Sequence, residues 1–356
     1  MTPKLKILSS LQTSLILFYK VFIVLIYSYQ IYRFYIGWHN LKSYKSGLIQ
    51  NVSIVIAFRN EEDNIPFLLE DLSKQDYPSE YLELILVDDF SNDNSFELLS
   101  QSDMPLKLLR SKQEGKKAAI SCGINLAQND IILTTDADCR LSSNWVNQML
   151  VPFCDDSVHF VSGPVSYTNL STIFDKFQAI EFISLIGAGA GSIGINKAFM
   201  CNGANMAFRK SLFAETKAHI ASGDDVFLLH YVKQLNGEIV FVKEKSAIVY
   251  TSPKSSLKAF MNQRKRWAAK SSYYSDITAK WISILVFLMN LTLIILLFTS
   301  KLNVFLVIFF IKIIVDYFFV KSLSRFFSYE KYLSYYWFVA FIYPIYIVWV
   351  SISSQF

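Results

Sequence analysis

Three short clusters in this chain hold the residue types that a group-transfer reaction needs. They are Asp136-Ala-Asp138, Gly223-Asp-Asp225 and Gln263-Arg-Lys-Arg-Trp267. Paired carboxylates can hold a divalent cation, a separate carboxylate can accept a proton, and cationic groups can neutralise a leaving diphosphate. These are the parts needed to transfer a sugar from a nucleotide diphosphate, so an active site is the first hypothesis.

The composition predicts a soluble domain bounded by membrane segments. Hydrophobic residues make up 53% of the 356 residues, and charged residues are dense only between about Arg59 and Lys270. The net charge of +5 is modest, and basic residues gather near the predicted membrane edge from Lys254 to Lys270. This favours lipid head groups and a diphosphate as partners, and no nucleic acid. The four cysteines lack CxxC spacing, which disfavours a zinc site and fits a reducing cytosolic face.

Four apolar runs are long enough to cross a bilayer. They lie at about 15–35, 281–298, 303–320 and 334–352. A signal peptide is the alternative for the first run, but no small-residue cleavage site follows it. Basic residues in the loop Lys321–Tyr332 predict a multi-pass protein of the cell membrane with that loop and the central domain on the cytoplasmic side.

Two charged residues lie inside the third of these runs. Lys312 and Asp316 are one helical turn apart, so they can pair on one face. Such a pair could line a path for a lipid or a glycan, or it could hold two helices together.

The central region has the pattern of an α/β fold with a mostly parallel sheet. Apolar runs at 51–57, 82–87 and 130–135 each precede polar residues, and helical patterns at 64–75 and 116–128 lie between them. Ligands bind at the carboxyl ends of such strands. The acids that follow these strands are Asp88, Asp89, Asp136 and Asp138.

One glycine pattern points to a different fold. Gly189-x-Gly191-x-x-Gly194 formally matches a dinucleotide-binding fingerprint, but residues 174–186 before it have a helical pattern. We therefore expect a close-packed or flexible segment there and reject a Rossmann dehydrogenase.

Seven motifs, in order, resemble those of family 2 glycosyltransferases of the GT-A fold. They are Val52-Ser-Ile-Val-Ile-Ala-Phe-Arg-Asn-Glu61, Val87-Asp-Asp-Phe-Ser-Asn-Asp93, Gly115-Lys-Lys-Ala-Ala119, Asp136-Ala-Asp138, Gly203-Ala-Asn205, Gly223-Asp-Asp225 and Gln263-Arg-Lys-Arg-Trp267. The chain looks most like the membrane-embedded branch with hyaluronan, poly-N-acetylglucosamine and cellulose synthases and ceramide glucosyltransferases. The resemblance implies a nucleotide-sugar-binding catalytic domain at 49–252 flanked by transmembrane α-helices. The expected flanking segments are an anchor at 1–48, an interfacial helix with the QxxRW motif at 253–276, and three transmembrane helices at 277–356.

The same resemblance implies a Mg²⁺ or Mn²⁺ cofactor and a donor site. Asp138 is expected to be the direct metal ligand, with Asp136 facing the ribose or a metal-bound water. The residues expected around the nucleotide sugar are Ala57, Arg59, Glu61, Asp88, Asp89, Lys116, Asp136, Gln263, Arg266 and Trp267. Alternatively, Asp88 and Asp89 cap a helix that begins near Asn94. The family often has proline where Ala57 stands.

The acceptor side is implied in the same way. The resemblance makes Asp225 the base that deprotonates the acceptor hydroxyl, with Asp224 in support; an N-cap before Val226 is the alternative. Gly203, Asn205 and Trp267 are expected beside the acceptor.

The basic-aromatic cluster has helical spacing. Gln263, Arg266 and Trp267 share one side of a helix. An apolar stripe adjoins them, formed by Leu257, Phe260, Met261 and Ala268. This predicts an interfacial helix on the membrane, and the alternative is a helix that only adheres to the membrane.

These observations favour a metal-dependent inverting glycosyltransferase at the cytoplasmic membrane face, with a UDP-sugar as the expected nucleotide-sugar donor. A lipid or lipid-linked acceptor is preferred because four spans are few for a secretion channel, and a processive polysaccharide synthase with a glycan acceptor is the close alternative. A hypothesis from another functional class also fits these motifs: the protein could be catalytically inactive and serve as a membrane-anchored scaffold or nucleotide-sugar-binding protein. A transporter is disfavoured because the chemistry-bearing residues lie outside the spans.

Overall fold

The computed structural model describes residues 3–44, 48–216, 225–271, 273–299 and 302–354, and the backbone alone for residues 3–18 and 214–216. The chain divides into two compact units, one of residues 36–253 and one of residues 1–35 and 254–356. The four segment boundaries expected from the sequence remain predictions.

The unit of residues 36–253 is built on a mixed, mostly parallel sheet. Its strands are β1 (Val52–Phe58), β2 (Leu82–Asp88), β3 (Leu106–Arg110), β4 (Ile131–Thr134), β5 (Val158–Ser162), β6 (Val165–Tyr167), β7 (Met206–Arg209), β8 (Glu238–Phe241) and β9 (Val249–Thr251). Among the described residues, seven of them form one sheet in the order β3-β2-β1-β4-β7-β5-β8, and β6 pairs with β9. β1 is parallel to both β2 and β4, whereas β7 is antiparallel to β4 and β5. The three predicted strands are confirmed as β1, β2 and β4, and so is the α/β class.

The parallel strands form where they do because their apolar runs are covered on both faces. Every residue of β1 and β4 is buried. Phe58 lies opposite Asp88 across the β1–β2 pair, so the loops after the two strands leave the same edge of the sheet. Helix α1 (Pro3–His39) belongs to the other unit up to residue 35. The helices of this unit are α2 (Ile65–Ser73), α3 (Ser95–Ser100), α4 (Lys116–Leu126), α5 (Trp145–Leu150), α6 (Ile173–Gly194), α7 (Lys210–Thr216) and α8 (Asp225–Gln234). The helices predicted at 64–75 and 116–128 are thereby confirmed as α2 and α4.

The glycine pattern at 189–194 lies within helix α6, so it forms no dinucleotide loop. Thr172 and Asp175 make a capping box that starts this helix. A Cβ on Gly194 would clash with the backbone of Gly37, and a Cβ on Gly37 would clash with the backbone of Gly191. The prediction of close packing is therefore confirmed: the glycines let α6 touch the end of α1.

The second unit is helical. After α9 (Leu257–Ser271) come α10 (Ile277–Phe298), α11 (Leu302–Phe326) and α12 (Tyr336–Ser353). α11 extends to Phe326, so Lys321 and Arg325 lie in this helix and not in a loop as the sequence suggested. The helix continues beyond the end of the apolar run and includes the polar residues that follow it.

Four helices of the described residues are long and apolar enough to cross a membrane. They are Ile173–Gly194, Ile277–Phe298, Leu302–Phe326 and Glu330–Ser353. For α6, 78% of the apolar stretch is buried inside the protein, which makes it a core helix of its unit. The predicted anchor at 15–35 falls within the continuous helix α1, but α1 is not among the four, and the anchor remains a prediction.

Charged residues bind α1 to α11 inside this unit. The amine of Lys312 lies 2.7 Å from Asp316, which confirms the predicted pair, and the hydroxyl of Tyr27 donates to Asp316 at 3.0 Å. Ile23, Val24 and Tyr27 also pack in one apolar cluster with residues of α10 and α11. The structural interpretation of the pair is favoured, because a residue from a second helix completes it.

Candidate active site

Asp136 and Asp138 follow β4 at the carboxyl edge of the sheet, where the topology brings the functional loops together. Both side chains are half-buried. One oxygen of Asp138 accepts a hydrogen bond from the hydroxyl of Thr251 at 3.4 Å. Two carboxylates that face the same loop edge are hard oxygen donors of the kind that Mg²⁺ or Mn²⁺ binds.

A buried carboxylate fixes the loop that carries this pair. Arg140 donates two hydrogen bonds of 2.7 Å to Asp71, and Leu141 N–H donates to the same carboxylate at 2.9 Å. Arg140 also pairs through its backbone with Tyr250. The sequence reasoning missed this clamp. Its signal is an acid on the apolar face of α2, beside Leu68 and Leu72.

Lys116 reaches the carboxylates from the first turn of α4. Its amine lies 2.5 Å from Asp136, and the side chain is 61% exposed, so the cleft admits solvent. Desolvation lowers the pKa of Lys116, but the negative charges of Asp136, Asp225 and Asp138 raise it by more, and the net shift is upward. The Lys116 cation is therefore paired with Asp136 and is stabilised by the charges of the other two acids.

Asp225 begins α8 and is held by two backbone groups. Gly203 N–H donates to one carboxylate oxygen at 2.6 Å, and Val226 N–H donates to the other at 3.0 Å. A Cβ on residue 203 would lie 3.2 Å from the Asp225 carboxylate, so glycine gives this contact its room. Asp225 thus lies at the start of α8, and its role as a base remains a prediction. The other two residues of the predicted motif, Gly223 and Asp224, lie outside the described residues.

Asp88 and Asp89 are buried at the carboxyl end of β2. Asp88 accepts from Ser91 N–H at 2.9 Å, and Asp89 accepts from Gly115 N–H at 2.6 Å. Helix α3 begins at Ser95, close to the expected position, and the acid that accepts from its first N–H group is Asp93, at 3.0 Å. The role of Asp88 and Asp89 at the nucleotide remains a prediction. The Asp89 bond links the loop after β2 to the start of α4 and thus to Lys116.

The loop after β1 is tied to the loop after β2. Asn60 accepts from Asn92 N–H at 2.9 Å, and Glu62 N–H donates to Asp93 at 3.1 Å. The predicted residues Ala57, Arg59 and Glu61 all lie in β1 or this loop. Arg59 pairs with Glu114 at 2.5 Å, and Ala57 is buried in the strand.

The side chain of Asn205, expected beside the acceptor, is engaged inside the core. It is fully buried; its amide nitrogen donates to the carbonyls of Pro164 and Ala247, both at 2.8 Å, and its oxygen accepts from Trp145 at 3.0 Å. This amide joins helix α5 to the segments around Pro164 and Ala247, because a buried amide must satisfy both ends. The place of Asn205 beside the acceptor remains a prediction.

Gln263, Arg266 and Trp267 lie on α9, in the helical unit. Arg266 is exposed, while Arg264, which the sequence reasoning passed over, is buried. Of the residues in the predicted apolar stripe, Phe260 is buried as expected, whereas Leu257 is 63% exposed.

The candidate cation site rests on two side chains. Among the described ranges, no three His, Cys, Asp or Glu side chains group closely enough to hold a metal ion. Asp136 and Asp138 would therefore share a cation with ligand phosphates and water, which is the usual arrangement for Mg²⁺.

Part of the chain is similar in sequence to known glycosyltransferases. The profile of glycosyl transferase family 2 matches residues 53–216. The undecaprenyl-phosphate 4-deoxy-4-formamido-L-arabinose transferase of Pectobacterium atrosepticum is 38% identical over 149 residues, which cover 40% of this chain and 45% of that protein. The poly-beta-1,6-N-acetyl-D-glucosamine synthase of Staphylococcus aureus is 31% identical over 144 residues, or 39% of this chain and 34% of that protein. The matched regions thus span less than half the length of these relatives.

A solved structure has the same fold over nearly the whole chain. The mannosyltransferase PcManGT of Pyrobaculum calidifontis, in complex with GDP-Man and Mn²⁺, superposes with a TM-score of 0.57. It is 16% identical and covers 92% of this chain and 95% of its own. At this identity the likeness establishes the GT-A-like fold alone.

Proposed function

We propose that the protein is a metal-dependent inverting family 2 glycosyltransferase that moves a sugar from a nucleotide diphosphate sugar to a lipid or lipid-linked acceptor. The match of the family 2 profile to residues 53–216 supports this proposal. The observation that carries the proposal is a set of side chains near the end of β4. Asp136 and Asp138 follow this strand, and the Lys116 amine lies 2.5 Å from Asp136. Asp225 accepts from Gly203 N–H, and the Gly203 carbonyl accepts from Thr134 of β4. This set combines a metal-binding carboxylate pair, a cation for phosphate and a separate carboxylate.

Asp138 and Asp136 are the residues that would hold Mg²⁺ or Mn²⁺. When bound, the ion would neutralise negative charge on the donor diphosphate. Lys116 adds a flexible ammonium, which pairs with Asp136 before the donor arrives and can turn to a phosphate oxygen. Asp88 and Asp89 line the nucleotide end, where the loops after β1 and β2 are locked together.

Asp225 is the base in this proposal. Its carboxylate removes the proton from the acceptor hydroxyl while that oxygen attacks the anomeric carbon. The bond from that carbon to the diphosphate oxygen breaks, and the electron pair leaves with the nucleoside diphosphate. The backbone bonds from Gly203 and Val226 hold the carboxylate in place, so that little reorganisation accompanies the step.

The acceptor is lipid-linked and the donor a UDP-sugar in this proposal, with the catalytic domain on the cytoplasmic face. Apolar helices long enough to span a membrane support access to a lipid, and one relative is named as an undecaprenyl-phosphate transferase. Gln263, Arg266 and Trp267 would bind the diphosphate and the acceptor. A polysaccharide synthase is the second candidate, since another relative is named as a poly-N-acetylglucosamine synthase.

The test is transfer by the purified full-length protein in detergent. We would incubate it with labelled UDP-sugars and GDP-sugars, Mn²⁺ and a membrane lipid extract. Label in the organic phase supports lipid transfer, label in a high-mass fraction supports the synthase, and label in neither overturns the proposal.

Two variants test the base. Asp225→Asn should lower kcat by at least about 100-fold and leave nucleotide binding intact. Asp130→Asn, which changes an exposed acid before β4, should retain activity. Equal activity of both variants would contradict the assignment of Asp225. Nucleotide binding without transfer by the wild type would instead support the inactive scaffold.

A further inference from the structure

Two arginines of α9 lie in opposite environments. Arg266 is exposed, whereas Arg264 is only 3% exposed. Burying a guanidinium is costly unless its charge and its donors are satisfied. The contacts around Arg264 therefore indicate what this residue does.

Two aromatic rings cover the Arg264 guanidinium. Its central carbon lies 4.6 Å from the ring centre of Phe260 and 4.3 Å from that of Trp267. These residues are four positions before and three after Arg264, so one helix face brings all three together. Phe260 in turn stacks on Tyr346 of α12 at 5.6 Å. Trp267 is thus held through Arg264 and Phe260 to a neighbouring helix.

Arg264 also controls the amide of Gln263. Its terminal nitrogen donates to the Gln263 oxygen at 2.5 Å. A guanidinium has donors and no acceptor, so this bond fixes which way the amide turns. The amide oxygen is engaged, and the NH₂ group of Gln263 is left to face a hydrogen-bond acceptor such as a diphosphate oxygen.

We propose that Arg264 is a positioning residue, which orients Gln263 to donate to the donor diphosphate and fixes the Trp267 ring for the acceptor. The inference rests on the proposed function, in which Gln263 and Trp267 contact ligand. Arg264 itself touches neither substrate and acts through its two neighbours.

The experiment compares Arg264→Met, Arg264→Lys and Lys258→Gln in the full-length protein. Lys258 is an exposed cation on the same helix and serves as the charge control. Arg264→Met should lower kcat/KM by about 10- to 100-fold, because loosened groups lose their alignment. Arg264→Lys should also fall, since an ammonium lacks the planar fork. Lys258→Gln should stay within about twofold.

A double variant separates positioning from general destabilisation. If Arg264 acts partly through Gln263, then the loss caused by Arg264→Met should be smaller in a protein that already carries Gln263→Ala than in the wild type. Independent, multiplicative losses would overturn the inference. Should Arg264→Met fail to fold, the same cycle is run with Arg264→Lys.

A readout without turnover covers failure of the proposed function. The difference in emission spectrum between wild type and Trp267→Phe reports the surroundings of Trp267. That difference spectrum should change when Arg264→Met is introduced in both proteins. An unchanged difference spectrum would refute the contact between Arg264 and Trp267, even if the protein has no transferase activity. If the spectrum changes but the wild type transfers no sugar, only the proposed function is refuted.

Discussion

The amine of Lys116 lies 2.5 Å from a carboxylate oxygen of Asp136, the first acid of the pair that would hold a metal. The side chain is largely exposed, and two further acids act on its charge. Lys116 therefore compensates the carboxylates in the free protein and competes with a cation for Asp136. Donor phosphates attract both the Lys116 ammonium and the metal ion. Their binding would therefore draw Lys116 away from Asp136 and leave that carboxylate to the metal.

Replacing Lys116 by methionine should affect donor and metal in opposite directions. The KM for the nucleotide sugar should rise by about tenfold or more, because one phosphate contact is lost. The metal concentration for half-maximal activity should fall, because Asp136 no longer pairs with an ammonium. Steady-state kinetics with varied Mn²⁺ and donor would measure both. Lys117→Met is the matched control, and a higher metal requirement in Lys116→Met would contradict the competition.

Asp138→Asn should weaken the metal site. One of two carboxylate ligands is replaced by a neutral amide, so the Mn²⁺ concentration for half-maximal activity should rise by about tenfold or more. Titration of activity against Mn²⁺ measures the effect. Asp76→Asn, at an exposed acid after α2, should leave the titration unchanged. Coincident curves for wild type and Asp138→Asn would rule out Asp138 as a ligand.

Asn205→Ala should destabilise the catalytic unit. The change leaves two carbonyls and the Trp145 indole N–H buried without their partner, at a cost of about 2–4 kcal/mol in the free energy of unfolding. Thermal unfolding of the detergent-solubilised protein checks this through a lower Tm. Asn262→Ala, at an exposed position of α9, should change stability by less than about 0.5 kcal/mol. A Tm equal to that of the wild type would show that the Asn205 network adds nothing.

Glu83 should make stability depend on pH below neutrality. Desolvation raises the pKa of Glu83, but bonds from Gln128 N–H, Lys107 and Ser53 lower it by more, so the net pKa lies below its usual 4.5. A depressed pKa stabilises the folded protein above pH 4.5 and loses that contribution as pH falls through the folded value. The Tm of the wild type should exceed that of Glu83→Gln by a constant amount from pH 7 to about pH 5, and this difference should shrink at lower pH. Thermal melts across this range test the sign, and an excess that grows on acidification would contradict it.

The local sequence determined much of the catalytic unit. β1, β2 and β4 are continuous apolar runs, and burial on both faces selects such runs whatever their neighbours. The acids after those strands follow from the same pattern, because parallel strands end at one edge. Gly203 and Asp225 were expected near each other only through motif order, and the backbone hydrogen bond supplies the geometry.

Other features depend on residues far apart in the chain, and tertiary structure alone decided them. Asn205 and Asp71 have ordinary polar sequence surroundings, yet their partners lie about 40 to 70 positions away. Arg264 and Arg266 lie two positions apart on α9, yet Arg264 is buried against Phe260, which stacks on Tyr346 of α12, while Arg266 is exposed. The reason is physical: periodicity records which side of an element is apolar, whereas a buried polar group is defined by the partner that satisfies it.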